Sequence, residues 1–65
     1  MAAVTKRNEI ELGMTVCVVQ KQDQRTGKLT EGVVKSILTK AAFHPHGIKV
    51  MLDNGIVGRV TGFKK

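Results

Sequence analysis

The chain has 65 residues, 42% hydrophobic and 25% charged, a composition that fits one small globular domain and excludes a wholly disordered chain. A domain of this size buries only about 60% of its unfolded surface, which leaves no room for a deep catalytic cavity. Eleven Lys and Arg residues against five Asp and Glu give a net charge of +6. This charge favours a polyanionic partner, with nucleic acid ahead of an acidic membrane surface.

Cysteine usage and apolar run lengths limit the cellular setting. Cys17 is the only cysteine, so an internal disulfide and a four-cysteine zinc site are excluded. The apolar runs are too short for a membrane span, and the first residues have too short an apolar region for a secretory signal. We therefore expect a reduced, cytoplasmic setting without membrane contact.

The predicted elements follow one another in a simple order. Residues 1–9 are expected to be a flexible N-terminal arm, and residues 10–65 a single β-barrel domain. The string NEIELGM is expected to form a turn or a short helical piece that Gly13 closes. Runs rich in β-branched residues predict strands over 15–21, 29–38, 48–52 and 56–61. Gly32 predicts a bulge or sharp bend in the second strand, and the connection TKAAFHPHG has room for a helical turn.

The loop QRTGKL carries a Gly-Lys pair that invites comparison with a phosphate-binding loop. The pattern G-x-x-x-x-G-K-[ST] needs a glycine where Gln22 stands and a hydroxyl residue where Leu29 stands. Backbone amides can wrap a triphosphate only where glycines permit unusual dihedral angles. The loop is therefore predicted to be a turn between two strands.

The DNG sequence predicts the register of the last hairpin. If residues 53–55 form a three-residue loop, Gly55 supplies its left-handed residue. The pairs on the core face are then Leu52–Ile56, Val50–Gly58 and Ile48–Val60, and the pairs on the outer face are Lys49–Arg59 and Met51–Val57. A two-residue turn would mix the two faces, so the three-residue loop is preferred.

This register places Lys49 directly opposite Arg59, a mildly destabilising pair of like charges. A bound phosphate would relieve the repulsion; alternatively, exposed strand cations only discourage edge-to-edge aggregation. The candidate nucleic-acid-binding residues are Arg25, Lys28, Lys35, Lys49 and Arg59. Without Tyr or Trp, successive bases have no stacking platform, so contacts would run through phosphates and helix shape. Phe43 is expected to plug one end of the barrel.

The string HPHG leaves three interpretations open. Pro45 and Gly47 favour a turn that leads into the third strand, and His44 and His46 could instead contact phosphate or bind a metal. A metal needs further ligands, and Cys17 and Asp53 lack ligand-like spacing. No nucleophile elbow or carboxylate pair is present either. We therefore expect no metal, no cofactor, no catalytic residue and no enzymatic activity.

Two family resemblances follow from longer strings. ELGMTVCVVQK followed by EGVVKSIL resembles the KOW motif, with its glycines, alternating valines and V-x-x-I. The matching residues are Gly13, Val16, Val18, Gly32, Val34 and Ile37. KOW segments open SH3-like barrels that commonly touch RNA or protein, so the resemblance implies an all-β, SH3-like (KOW-type) barrel of four to five antiparallel strands.

From Arg7 onward, KQDQRTGKLTEGVVKSILTK and HPHGIKVMLDNGIVGRV are similar to the YwbE-type family of small bacterial and archaeal proteins. This resemblance implies no established activity, cofactor or ligand.

Two functions are therefore expected. The first is a non-enzymatic protein, favoured as a monomer, that contacts RNA or a ribonucleoprotein through a basic strand face and loop. The second is a protein-interaction module that uses a groove or edge of the barrel. An outer apolar patch would favour the second function. Its candidate residues are Cys17, Val19, Met51 and Val57.

Overall fold

The computed structural model describes residues 3–63. Four strands, β1 (Thr15–Val19), β2 (Thr30–Ile37), β3 (Lys49–Leu52) and β4 (Val57–Phe63), form the sheet. All neighbouring pairs are antiparallel, and β4 returns to pair with β1, so the sheet closes into a barrel. Two short 3₁₀ helices, Arg7–Glu9 and Lys21–Asp23, lie outside it. The prediction of a small all-β, SH3-like barrel is confirmed.

The barrel interior is filled by alternate residues of the strands. The side chains buried most completely are Val16, Val18, Val34, Ile48, Val50, Leu52 and Val60. Burial of one such side chain contributes about 1.5–3 kcal/mol, so these few residues supply most of the hydrophobic stabilisation. Phe43 is not among them: its side chain is 57% exposed, and the prediction that it plugs the barrel is wrong.

The hairpin between β3 and β4 has the predicted register. Lys49 pairs with Arg59, Val50 with Gly58, and Met51 with Val57. The N–H of Leu52 donates to the carbonyl of Ile56, and Gly55 closes the loop with a φ of +85°. Gly55 is needed here because a residue with a side chain rarely adopts this left-handed conformation. The three-residue loop is therefore confirmed, and Lys49 and Arg59 face outward together.

The irregularity of β2 lies at Lys35 and not at Gly32. Val34 pairs with Leu52 and Ser36 with Met51, so Lys35 is the extra residue of a bulge. Gly32 pairs regularly with Val16, and a Cβ added at Gly32 would lie 2.7 Å from Cδ1 of Leu52. Gly32 is thus required for the close approach of the Leu52 side chain, and the predicted bulge is displaced by three residues.

The N-terminal segment is joined to the barrel by its backbone. The N–H of Val4 donates to the carbonyl of Val60 (3.0 Å), and the carbonyl of Val4 accepts from Ile48 (2.9 Å). The Val4 side chain is buried in the core, and Lys6 forms an antiparallel bridge with Phe43. These contacts attach the segment to the barrel, in contrast to the flexible arm that the sequence predicts. Residues 1 and 2 of that arm lie outside the described residues.

The string NEIELGM contains both a short helical piece and a turn. The first 3₁₀ helix ends at Glu9, and the N–H of Met14 then donates to the carbonyl of Glu11 (3.2 Å) across a turn in which Gly13 has a φ of +89°. The prediction of a turn or short helical piece closed by Gly13 is confirmed. The segment 39–43 contains bends and the bridge at Phe43 instead of a helical turn.

Candidate nucleic-acid interface

A row of outward-facing residues crosses three strands of the barrel. Lys49 of β3 lies opposite Arg59 of β4, and Arg59 lies opposite Val19 of β1. Lys49 is exposed and Arg59 is half-buried, whereas Val19 is only 8% exposed. The expectation that Val19 belongs to an exposed apolar patch is therefore wrong. Cys17, Met51 and Val57 are half-buried.

The row opens into two adjoining depressions, which share Val19, Gln24 and Arg59 and which we call together the outer groove. The first, of about 410 Å³, is lined by Ala3, Val19, Gln24, His46, Arg59 and Thr61. The second, of about 280 Å³, is lined by Val19, Lys21, Gln24, Lys49, Gly58 and Arg59. No carboxylate occurs among these lining residues, so the charged side chains of the groove that the structure describes are all basic.

The HPHG string is a turn, as one of its three interpretations predicts. The N–H of Gly47 donates to the carbonyl of His44 (3.1 Å), and the N–H of His44 donates to the carbonyl of Thr5 (3.0 Å). The N–H of His46 donates to Nδ1 of His44 at 3.2 Å. Gly47 has a φ of +102°, and a Cβ there would lie 3.1 Å from the carbonyl oxygen of Val60. Both the dihedral angle and the tight space require glycine.

This turn positions two groups of the outer groove. The carbonyl of Gly47 accepts a hydrogen bond from Nη1 of Arg59 at 3.0 Å, which fixes the guanidinium above the strands. Hydrogen bonds to a charged group contribute about 1.5–3 kcal/mol when well formed. The same turn places His46 at the rim of the first depression. Arg59 is therefore held in place before any ligand arrives, which lowers the entropic cost of binding.

The five residues predicted from the sequence do not form one cluster. Lys49 and Arg59 line the outer groove. Arg25 and Lys28 are exposed in the β1–β2 connection, Lys35 is exposed at the bulge, and none of these three lines either depression. They could reach only a ligand that extends beyond the groove.

Sequence reasoning missed Lys21 and Gln24. It assigned Lys21 to the first strand, but that strand ends at Val19 and Lys21 begins a 3₁₀ helix. This helix turns the chain so that Lys21 and Gln24 line the groove beside Val19. A short polar run, KQDQ, was the only local signal that the strand had ended.

Zinc or nickel ions are expected to leave the melting temperature nearly unchanged. Among residues 3–63, no group of three or more His, Cys, Asp or Glu side chains is placed to hold a metal ion. His44 also uses Nδ1 to accept the His46 N–H. A bound metal ion present at about 100 times its dissociation constant would raise the free energy of unfolding by about 2.7 kcal/mol. In so small a domain this corresponds to a rise in melting temperature of roughly 10–20 °C. A large shift that disappears in the H44A/H46A variant would contradict this prediction.

Across residues 3–63, no helix is long and apolar enough to cross a membrane.

Fold and groove together define a small SH3-like barrel with a basic outer face. Residues 3–63 match the family described as "Uncharacterized conserved protein (DUF2196)", and the chain belongs to this family. The chain is similar to "Uncharacterized protein YwbE" of Bacillus subtilis (strain 168), with 61% identity over 54 residues that cover 83% of each chain. The resemblance to the YwbE-type family is thereby confirmed. No solved structure shows a significant match to the chain.

Proposed function

We propose that the protein is a non-enzymatic RNA-binding module that grips phosphates of structured RNA, or of a ribonucleoprotein, in the outer groove. The observation that carries the proposal is the direct pairing of Lys49 with Arg59 across β3 and β4, with Lys21 in the same depression. The absence of carboxylates among the described lining residues supports it, because an acidic side chain would neutralise the cations internally.

The electrostatics of the pair favour phosphates beside the two side chains. Like charges directly opposite on neighbouring strands destabilise a sheet by about 0.2–1 kcal/mol, and a phosphate bound at each side chain would offset this repulsion with an attraction. The guanidinium of Arg59 has five N–H donors, and the bond to Gly47 uses one nitrogen, Nη1. The remaining donors suit the oxygens of a phosphate, which arginine commonly binds with two parallel hydrogen bonds.

A longer ligand would extend the contact beyond the groove. Arg25, Lys28 and Lys35 are exposed and would add phosphate contacts outside it. The net charge of +6 would accelerate the encounter with a polyanion. Such contacts position the protein without reading base sequence. The proposal places the protein in the cytoplasm, as a monomer without a cofactor, and the KOW-like strings of β1 and β2 agree with an RNA partner.

The salt dependence of RNA binding tests this function. We expect a fluorescently labelled RNA hairpin to bind at about 50 mM salt and to lose affinity by roughly 20- to 40-fold at about 200 mM. This range follows from three phosphate contacts, by Lys21, Lys49 and Arg59, each with a slope of about −0.7 to −0.9. Fluorescence anisotropy measures the effect. A protein with no RNA affinity at the lower salt concentration would contradict the proposal.

Protein binding is a second candidate, favoured by apolar side chains on the surface. Leu12, Leu29, Leu38, Phe43 and Phe63 are all between 42% and 65% exposed. An apolar interface survives rising salt, whereas phosphate contacts weaken. A pull-down at two salt concentrations, with and without nuclease, separates the two candidates.

A further inference from the structure

The two halves of the outer groove differ in chemistry. The first depression is lined by two apolar side chains, Val19 and Ala3, which we call its apolar floor, and by the polar side chains of Gln24, His46 and Thr61. The second contains two lysines, Lys21 and Lys49, and its other lining groups include Gly58, which contributes only backbone. Arg59 lines both depressions and stands between the two kinds of surface. A site that bound phosphates alone would gain nothing from the apolar floor of the first half.

The first half suits a single nucleobase. Ala3 and the small exposed part of Val19 offer apolar atoms against which a flat ring can pack, and Ala3 is the more exposed of the two. The imidazole of His46 and the guanidinium of Arg59 are planar groups that stack on unpaired bases in RNA complexes. The side-chain amide of Gln24 provides both a donor and an acceptor for the edge of a base. The volume of the first depression, about 410 Å³, lies within the range of about 300–1,000 Å³ that is typical of small-ligand sites.

The planar groups and the floor are held in place by the fold. Hydrogen bonds within the HPHG turn fix the backbone at His46, and the carbonyl of Gly47 fixes Arg59. The hydroxyl of Thr61 donates to the carbonyl of Cys17 at 3.3 Å, which leaves its oxygen lone pairs as acceptors beside the floor. Arg59 and the backbone of the turn are therefore placed before a ligand binds, and little side-chain entropy would be lost at Arg59.

We propose that the outer groove holds one unpaired nucleotide of RNA, with its base in the first depression and the neighbouring phosphates of the strand in the second. Arg59 lies between base and phosphate and contacts both. This inference rests on the proposed RNA-binding function and narrows it: the preferred ligand is a bulged or looped nucleotide within structured RNA, and a continuous duplex is a poorer ligand. One base fits this chain better than a row of stacked bases, because the sequence contains no Tyr or Trp.

Two RNA duplexes of the same sequence, one continuous and one with a single-nucleotide bulge, provide the test. Each duplex is annealed from two separate strands, because the capping loop of a hairpin would itself offer unpaired nucleotides. We expect the bulged duplex to bind at least about 5-fold more tightly at equal salt, since stacking of one base on a side chain has this effect or a larger one. Fluorescence anisotropy gives both affinities.

Two single variants assign this preference to the first depression. His46→Ala and Gln24→Ala are each expected to weaken binding of the bulged duplex more than binding of the continuous duplex, and His46→Ala should be the more selective because Gln24 also lines the second depression. Gln22→Ala is the matched control for Gln24→Ala, because Gln22 is an exposed glutamine in the 3₁₀ helix that Gln24 caps and does not line the groove. Thermal denaturation of each variant verifies that the barrel stays folded, and both target residues are exposed.

A mononucleotide competition tests the contribution of the base without any RNA secondary structure. A nucleoside 5′-monophosphate is expected to displace the bulged duplex at a lower concentration than ribose 5-phosphate does. Equal affinities for the two duplexes, or equal competition by the two small phosphates, would overturn the inference and leave the phosphate-binding function intact. Absence of binding to both duplexes at low salt would instead overturn the proposed function, and the inference with it.

Discussion

Replacing Lys49 and Arg59 together with Gln is expected to weaken RNA binding and to make it less sensitive to salt. The two side chains are the directly opposed cations of the outer groove, and each is expected to contact one phosphate. The slope of log K against log salt should become shallower by about 1.4 to 1.8, depending on whether the RNA at the site is single- or double-stranded. Unrelated RNA sequences should lose affinity similarly, because phosphate contacts carry no base information.

The matched control for this pair is Lys6→Gln with Lys40→Gln. Both lysines are exposed and neither lines the outer groove. Their double substitution removes the same number of positive charges as the substitution of Lys49 and Arg59. The control should change the salt slope much less than the variant at Lys49 and Arg59. Equal changes in the two variants would show that only total charge matters. A loss of affinity with an unchanged slope would indicate a packing or protein-contact role for the groove residues.

The stability of the same variant shows where sequence reasoning reached its limit. Cross-strand repulsion alone predicts that the double substitution leaves stability unchanged or raises it by up to about 1 kcal/mol. The structure adds a hydrogen bond from Arg59 to the carbonyl of Gly47, which the substitution removes. Loss of a hydrogen bond to a charged group costs about 1.5–3 kcal/mol, which exceeds the stability gained by removing the repulsion. The double variant is therefore expected to be less stable than the parent protein. Only the folded HPHG turn reveals this partner.

The register of the last hairpin could be predicted because two local signals agree. Alternation of apolar residues assigns each side chain to a face, and Gly55 fixes the length of the loop. Once both are known, the opposition of Lys49 and Arg59 follows without any coordinates. The structure confirms that pairing.

The rest of the groove could not be predicted, because it depends on contacts between distant segments. Alternation correctly places Val19 on the outer face, but its burial depends on the chain folding back at Lys21–Asp23 and on Arg59 from another strand. Ala3 and His46 reach the groove through the pairing of the N-terminal segment with the connection before β3. These contacts have no periodic signature. The five predicted binding residues therefore included Arg25, Lys28 and Lys35, because the sequence offers no signal that separates these exposed cations from Lys49 and Arg59.

Substitution of Gly58, which lines the second depression, has the largest expected effect on stability. Gly58 pairs with Val50 on the core face of β4, and a Cβ added there would lie 2.8 Å from Cγ2 of Val18 and 2.9 Å from the carbonyl oxygen of Val19. One of these neighbours is backbone, so the strand itself must shift to accept a methyl group. Overpacking of this kind costs about 1–3 kcal/mol, and occasionally more.

Gly58→Ala is therefore expected to lower the melting temperature by roughly 5–20 °C, since each 1 kcal/mol shifts a domain of this size by about 4–8 °C. Gly62→Ala is the matched control in the same strand, because Gly62 has no neighbour within 4 Å of an added Cβ and no positive φ. That substitution should leave stability unchanged or raise it by up to about 1 kcal/mol, by restricting the unfolded chain. Thermal denaturation followed by circular dichroism measures both variants. Equal melting temperatures would mean that β1 and β4 can separate at Gly58 without cost, and the close approach of Gly58 to Val18 and Val19 would then be absent in solution.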